Sequence, residues 1–459
     1  MTALTPGLAS IDRGRLAGLL DRELDRFRAE HPRSLELHER SQGSLLFGVP
    51  MSWMARWAGG FPAYLDEAQG ARVKDVDGHE YVDLCLGDTG AMAGHAPQPV
   101  VRAIAIQAER GATAMLPTED AAWIGEELAR RFGLPLWQFA LTATDANRWA
   151  LRLAREVTGR TKVLVFDWCY HGSVDESLAT LTPEGVRARS GNVGPPVDPG
   201  VTTKVVQFND LDALAQALDP GDVACVLTEP ALTNIGIVLP EDGFHEGLRN
   251  LTRETGTLLA IDETHTLSAG PGGCTRAWEL EPDLVTVGKA IGGGMPAAAY
   301  GVTAELAERI AARAEADYED VGGIGGTLAG NALSLAATRA TLEHVLTDQA
   351  YERTIPLAAR FASDTAAAID ASGLPWHVSE LGCRAEYRFQ PAPPRDGAEA
   401  GAAIDAQLER FMHLYALNRG VLLTPFHNMA LMCPATTDAD VEAHSEVFGA
   451  AVEELTKPE

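Results

Sequence analysis

Two residues of opposite charge, Asp262 and Lys289, stand at the ends of two apolar runs. Asp262 closes the run Thr257–Ile261, and Lys289 comes directly after Leu284–Gly288. Each run has the pattern of a buried strand in a parallel sheet, and such strands deliver their last residues to the edge where α/β proteins bind ligands. An amine and an acid in one crevice suit pyridoxal 5′-phosphate (PLP), which needs a lysine for a Schiff base and a carboxylate to keep its pyridine nitrogen protonated. We therefore expect Lys289 and Asp262 to be catalytic.

The segment that contains Lys289 is rich in glycine, which permits a tight turn and a close approach of the backbone to a ligand. It runs Gly288-Lys-Ala-Ile-Gly-Gly-Gly294. A lysine beside such a turn is also common on protein surfaces, so this motif alone does not identify a cofactor site. Asp262 adds weight, because an acid at the end of a buried strand is paired, protonated or functional.

The motifs Asp262-Glu-Thr-His-Thr266 and Gly288-Lys289 together resemble those of the class III aminotransferases, which are PLP enzymes of fold type I. That family includes amine and β-amino-acid transaminases, ornithine and 4-aminobutyrate aminotransferases, and glutamate-1-semialdehyde aminomutase. The resemblance extends from about Ala71 to Ala336 and less distinctly to the C-terminus. It implies an α/β fold: a large domain whose mainly parallel, seven-stranded sheet is covered by helices, and a small α+β domain.

The resemblance also assigns residues to cofactor binding. The turn Thr142–Asn147 resembles the one that holds the cofactor phosphate, and a helix N-terminus is an anion site for physical reasons independent of any family. By resemblance Tyr170 lies against the pyridine ring, although an aromatic residue there would also suit a hydrophobic core. Thr327 resembles a threonine that reaches the phosphate of the neighbouring subunit, which implies a homodimer with shared active sites. The cofactor-binding residues implied in this way are Ala143, Thr144, Tyr170, His171, Glu229, Asp262, His265, Lys289 and Thr327.

Three positions depart from the family pattern. Thr142-Ala143 stands where Ser-Gly precedes the phosphate threonine, which makes a bulkier turn. Thr264 replaces a valine that commonly packs beneath the ring, so the site becomes more polar. His265, in place of the more usual Gln or Met, would contact the phenolic oxygen of PLP. Alternatively, His265 makes only structural hydrogen bonds.

The substrate class depends on whether an arginine is placed to bind a carboxylate. The two positions at which β-amino-acid transaminases carry this arginine fall near Trp53 and within Leu423–His427, and neither holds one. Arg56 is close enough in sequence to substitute, and Arg384 or Arg388 could also reach the substrate. The aromatic and apolar residues of the two regions would form a pocket for a hydrophobic amine, unless they are ordinary loop packing. The predicted substrate pocket comprises Trp53, Arg56, Trp57, Met92 and Phe426.

These features predict a transaminase that moves an amino group from a hydrophobic primary amine to a 2-oxo acid such as pyruvate by a ping-pong mechanism. A β-amino-acid transaminase and a PLP-dependent aminomutase or epimerase of the same fold are alternatives, because all of them begin with the same lysine chemistry. A non-catalytic binding protein would not need Lys289, Asp262 and a phosphate turn together. The chain lacks the G-x-G-x-x-G turn between an early strand and helix that a nucleotide-dependent dehydrogenase uses.

The composition narrows the partners. The 459 residues are 46% hydrophobic and 22% charged, which is typical of a globular protein with room for more than one domain. A formal net charge of −27 argues against nucleic acids and anionic membranes as partners. The six cysteines are scattered, so we predict neither a zinc ribbon nor any other metal site. No signal peptide or membrane-spanning run is evident, and we expect a cytoplasmic protein.

Three regions are distinguishable along the chain. Residues 1–87 contain a helix over Ile11–Glu39, a loop rich in aromatic residues and a β-hairpin around Asp77-Gly78, and we assign them to the small domain. Residues 88–346 alternate strands with helices and form the large PLP-binding domain. Residues 347–459 form the rest of the small α+β domain.

Overall fold

The computed structural model describes residues 11–313, 323–424 and 426–457. In chain order the helices are α1 (Arg13–Glu30), α2 (Pro32–Ser41), α3 (Gln98–Arg110), α4 (Glu119–Phe132), α5 (Ala143–Thr158), α6 (Pro199–Thr202), α7 (Leu211–Leu218), α8 (Phe244–Thr255), α9 (Gly273–Ala277), α10 (Ala304–Ala311), α11 (Ala332–His344), α12 (Asp348–Ser372), α13 (Gly397–Ala402), α14 (Ala406–Leu417) and α15 (Asp438–Thr456).

The strands are β1 (Leu65–Gln69), β2 (Arg72–Asp75), β3 (Glu80–Asp83), β4 (Leu136–Ala140), β5 (Lys162–Phe166), β6 (Ala179–Thr182), β7 (Gly185–Ala188), β8 (Thr203–Val206), β9 (Val223–Thr228), β10 (Leu258–Asp262), β11 (Leu284–Gly288), β12 (Ala298–Val302), β13 (His377–Leu381), β14 (Arg384–Arg388), β15 (Val421–Leu422) and β16 (Met429–Leu431).

Contacts divide the chain into two compact units. The first comprises Met1–Pro97, Glu352–Pro393 and Ala402–Glu459, and the second comprises Gln98–Tyr351 and Pro394–Gly401. The boundaries between these units fall after Pro97 and after Tyr351. The domains inferred from sequence, 1–87, 88–346 and 347–459, stay a prediction.

The second unit is built on a seven-stranded sheet with the order β4-β12-β11-β10-β9-β5-β8. All neighbours are parallel except β12, which runs antiparallel to both β4 and β11. Every residue of β9, β10, β11 and β12 is buried, which explains why these strands are apolar throughout instead of alternating. The predicted α/β fold with a mainly parallel seven-stranded sheet is confirmed.

The first unit combines helices with two small sheets. One sheet has the order β1-β2-β3-β15 and the other β13-β14-β16, which agrees with the predicted α+β character. The segment Ile11–Glu39, predicted to be helical, forms two helices, since α1 ends at Glu30 and α2 begins at Pro32. A proline is favoured in the first turn of a helix but disrupts a helix interior, so Pro32 starts a second helix here.

No helix in the described part of the chain is both long and apolar enough to cross a lipid bilayer.

Candidate active site

The carboxylate of Asp262, the last residue of β10, is buried within a set of hydrogen-bond donors. Its Oδ2 accepts from His171 Nδ1 at 2.9 Å and from Asn147 Nδ2 at 2.7 Å, and its Oδ1 accepts from the backbone N of Thr264 at 3.0 Å. Burial raises the pKa of Asp262, but the hydrogen bond and charge of His171, with those from Thr264 and Asn147, outweigh it and lower the pKa to about 2. Asp262 is therefore ionised at neutral pH, as a group that must stabilise a protonated ring nitrogen should be.

Asn147 connects Asp262 to the next strand of the sheet. It lies on α5, and its Oδ1 accepts a hydrogen bond from Thr286 Oγ1 of β11 at 2.7 Å. Thr286 is the direct neighbour of Asp262 in the parallel β10–β11 pairing. The contact of Asn147 with Asp262 and Thr286 was not predicted, although Asn147 ends the predicted phosphate turn and is the polar residue on the buried face of a helix that is otherwise apolar there. This network fixes the acid from two sides.

His171 carries a positive charge beside Asp262. Burial lowers the pKa of His171, but Cys169 and the Asp262 carboxylate outweigh burial and raise the pKa to about 10. Both side chains of the pair are almost completely buried. The His171–Asp262 contact is consequently an internal ion pair, in which the carboxylate is balanced before any ligand is present.

Glu229 follows β9 and lies close to this pair. Its carboxylate accepts hydrogen bonds from the backbone N of Tyr170 at 3.2 Å and from the backbone N of Thr233 at 3.1 Å. Burial raises the pKa of Glu229, and the charge of His171 opposes that rise without cancelling it. Through these contacts Glu229 holds the segment Tyr170–His171 in place, while the Tyr170 side chain remains partly exposed.

Lys289 begins a short 3₁₀ turn directly after β11 in a strained backbone conformation. Its φ is +50°, which is unusual for a residue other than glycine. Strain of this kind persists where surrounding structure holds it, often at functional sites. Lys289 Nζ lies 2.9 Å from His265 Nε2. The structure thus brings together the two motifs from which the site was predicted, since His265 follows Asp262 and Lys289 follows the neighbouring strand.

The first turn of α5 forms the predicted phosphate turn. Thr142 caps the helix by accepting from the backbone N of Asp145 at 3.1 Å, and Thr144 Oγ1 accepts from the backbone N of Ser173 at 3.1 Å. A Cβ at Gly172, whose φ is +79°, would overlap Thr144 Oγ1, and a Cβ at Gly288 would lie 3.1 Å from the Ala143 Cβ. Only glycines allow this close approach of three loops around a helix N-terminus.

The donor set fits PLP. An anionic phosphate matches the helix N-terminus at Ala143 and Thr144, a cationic pyridine nitrogen matches the ionised Asp262, and an aldehyde matches the amine of Lys289. Thr327 lies on an exposed turn of the same unit, and its role towards a neighbouring subunit stays a prediction.

The residues of the predicted substrate pocket all belong to the first unit. Trp53 and Phe426 contact each other edge to face, with ring centroids 5.6 Å apart. Met92 is buried, and Cys383 Sγ lies 4.0 Å from its sulfur. Trp57 is half-buried, and Arg56 is exposed at the end of the 3₁₀ turn Ser52–Arg56. The structure therefore brings Trp53 and Phe426 together, and the assignment of all five residues to a substrate stays a prediction.

Several known proteins are similar to this chain in sequence and in fold. The family model for aminotransferase class-III matches residues 53–451. The chain is 36% identical over 426 residues to glutamate-1-semialdehyde 2,1-aminomutase of Desulfitobacterium hafniense, and the match covers 89% of this chain and 95% of that relative. A solved glutamate-1-semialdehyde-aminomutase from Pseudomonas aeruginosa PAO1 has a TM-score of 0.95 and 52% identity, with 97% of this chain and 100% of that one covered. An omega-transaminase from Sphaerobacter thermophilus has a TM-score of 0.83 and 26% identity, with 92% and 98% covered.

Proposed function

The chain belongs to the class III aminotransferase family, and we propose that it is a PLP-dependent aminomutase, which moves an amino group between neighbouring carbons of one molecule. The observation that carries this proposal is the 52% identity, over 97% of the chain, to a glutamate-1-semialdehyde-aminomutase, against 26% to an omega-transaminase. The curated relatives at 34–37% identity bear the name of the same aminomutase. The comparisons thus favour one of the alternatives over the amine transaminase predicted first.

Each residue of the site has a definite task in this proposal. PLP supplies an electron sink for the bonding pair that is left when a proton leaves the substrate carbon. Asp262 keeps a proton on the ring nitrogen, because its own pKa of about 2 prevents it from taking that proton. Lys289 carries the proton from one carbon to the next, and His265, at 2.9 Å from Nζ, orients the amine. Ala143 and Thr144 bind the phosphate.

The test uses glutamate 1-semialdehyde as the only substrate. Moving its amino group from C2 to C1 gives 5-amino-4-oxopentanoate, so no second carbonyl compound is consumed. We expect the purified enzyme, loaded with the pyridoxamine form of the cofactor, to complete many turnovers without added pyruvate. Product formation that requires a stoichiometric oxo acid would contradict the aminomutase proposal.

The second candidate is the amine transaminase. The edge-to-face pair Trp53–Phe426 favours it, because paired aromatic rings suit a hydrophobic amine better than a carboxylate. This activity predicts that 1-phenylethylamine and pyruvate give acetophenone and alanine in equal amounts. Strong preference for β-phenylalanine over 1-phenylethylamine would instead point to a β-amino-acid transaminase.

We also propose a homodimer in which Thr327 contributes to the cofactor site of the partner subunit. The exposure of Thr327 on its turn is compatible with such a contact. A mass in solution of about twice that of one chain, and weaker cofactor binding in Thr327→Ala at unchanged mass, are the expected results. A cytoplasmic location is proposed because all six cysteines are buried and none of them forms a disulfide, as is usual in a reducing compartment.

A further inference from the structure

Two histidines and an aspartate, none of them assigned to the cofactor, converge in the first unit. His31 lies between α1 and α2, Asp75 ends β2, and His79 lies in the turn before β3. Asp75 Oδ2 is 3.3 Å from His31 Nε2 and 3.1 Å from His79 Nδ1. Within residues 11–313, 323–424 and 426–457, this is the one group of three such side chains whose ligand atoms all lie within 4.8 Å of one another.

The surrounding structure holds these ligand atoms in fixed orientations. His31 Nδ1 donates to the carbonyl of Phe27 at 2.8 Å, which turns Nε2 towards Asp75. Asp75 Oδ1 accepts from the backbone N of Asp77 and of His79, both at 2.9 Å, which turns Oδ2 towards the histidines. Hydrogen bonds of this kind orient the ligands in established metal sites.

The α2 helix is tied to the same hairpin, which fixes His31 relative to Asp75. Asp77 accepts from the backbone N of Arg33 at 2.7 Å and from the backbone N and the hydroxyl of Ser34 at 3.0 and 2.6 Å. The first turn of α2 is therefore capped by the hairpin turn. His31 precedes this turn directly, so its position follows from the same contacts.

One hydroxyl proton, that of Tyr81, faces two acceptors in this group. Tyr81 OH lies 2.6 Å from Asp75 Oδ2 and 2.9 Å from His31 Nε2. With its proton on Nδ1, a neutral His31 presents a lone pair at Nε2, and the single proton of Tyr81 can serve only one of these two contacts. A positive charge at this point would complete the set.

We propose that His31, Asp75 and His79 bind a divalent transition-metal ion of the Zn²⁺ or Co²⁺ type. In a tetrahedral site with metal–ligand bonds of about 2.0–2.1 Å, neighbouring ligand atoms lie roughly 3.3–3.4 Å apart, close to the 3.3 and 3.1 Å observed here. Two imidazoles and one carboxylate suit these metals better than Mg²⁺ or Ca²⁺. The His79 side chain is 36% exposed, which leaves a water-accessible coordination position. The ion would replace Tyr81 as the bridge between His31 and Asp75.

The experiment measures Co²⁺ binding to the full-length holoenzyme after treatment with a chelator. We expect one equivalent of Co²⁺ by elemental analysis, with the visible absorption bands of a four-coordinate N/O site. His79→Gln, a change at a partly exposed position, should weaken binding at least about tenfold. Tyr81→Phe should retain the metal, because the ion takes over the contact that the hydroxyl makes. His344→Gln is the matched control, since His344 is a surface histidine beside Glu343.

Two results would overturn the proposal. One is that the wild-type protein binds no stoichiometric Co²⁺. The other is that His79→Gln and His344→Gln bind Co²⁺ as tightly as the wild type, which would mean that the metal lies elsewhere. Circular dichroism of each variant establishes that it is folded, and Asp75→Asn provides a second ligand variant of unchanged size.

Discussion

Replacing His171 by asparagine tests whether the acid of the active site depends on a buried ion pair. His171 Nδ1 donates to Asp262 Oδ2 at 2.9 Å, and both side chains are almost fully buried. Asparagine retains an amide donor near the position of Nδ1 but has no charge. Removing one partner of a buried pair costs about 3–5 kcal/mol. We expect a loss of this size in the free energy of unfolding of the cofactor-free protein.

The loss depends on pH in a defined direction. The pKa of His171 is raised from 6.5 to about 10 in the folded state, so its contribution is complete below 6.5 and disappears as the pH rises through about 10. The pKa of Asp262 is lowered from 3.8 to about 2, so its contribution is complete above 3.8 and disappears as the pH falls through about 2. The free energy of unfolding of the wild type should therefore exceed that of His171→Asn most between about pH 4 and pH 6.5.

The assay is denaturant unfolding of both cofactor-free proteins at about pH 6 and about pH 10. His413→Asn is the control, because His413 is equally buried but its pKa is lowered, to about 4, so it is neutral at both pH values. The free energy of unfolding that His413→Asn loses should be the same at the two pH values. An undiminished loss for His171→Asn at about pH 10 would refute the ion pair and indicate that His171 contributes through packing alone.

Substitutions at Lys289, at two glycines and at an aromatic pair test the other contacts described above. Lys289→Ala should lose turnover and the visible absorbance of the lysine-bound cofactor, and retained turnover would remove Lys289 from the mechanism. Gly133→Ala, at φ +80° with open space around the added Cβ, should lose about 1–2 kcal/mol of stability. Gly172→Ala, at φ +79°, should lose more because its Cβ would overlap Thr144 Oγ1, and it should also bind PLP more weakly in a titration of the cofactor-free protein. A double-mutant cycle of Trp53→Ala and Phe426→Ala should give a coupling energy of about 0.5–1.5 kcal/mol in unfolding, and a value near zero would show that the edge-to-face contact does not form in solution.

The placement of Asp262 and Lys289 at one sheet edge was predictable from sequence, because local pattern and sheet geometry agree. Asp262 and Lys289 each follow an apolar run, and these runs are adjacent parallel strands. Parallel strands side by side bring their last residues together whatever the rest of the chain does. The glycines near Lys289 and the turn before α5 could also be recognised in the sequence, because each shapes the backbone only within a few residues of itself.

The contacts of His171 and Asn147 with Asp262 were not predictable, because these two partners come from segments far from Asp262 in sequence. Asn147 reaches the acid only because α5 packs over β10 and β11, and no local pattern states which residue of α5 will face them. The break at Pro32 was available in the sequence, since proline at the start of a helix is a known signal. The charge pattern on both sides of Pro32 is continuous, and it concealed the break.

The acid and the amine of this site are held in different ways, and this difference bears on the reaction. Asp262 is fixed by an ion pair with His171 and by hydrogen bonds from Asn147 and Thr264, so the fold itself sets the orientation of the carboxylate. Lys289 stands on a strained turn, with His265 beside its amine. In the mechanism proposed above, both residues take part in removing a proton from the substrate carbon, whether the amino group then stays on one molecule or passes to another. On this proposal, the choice between aminomutase and transaminase depends on residues that hold or release the substrate, and not on Asp262 and Lys289.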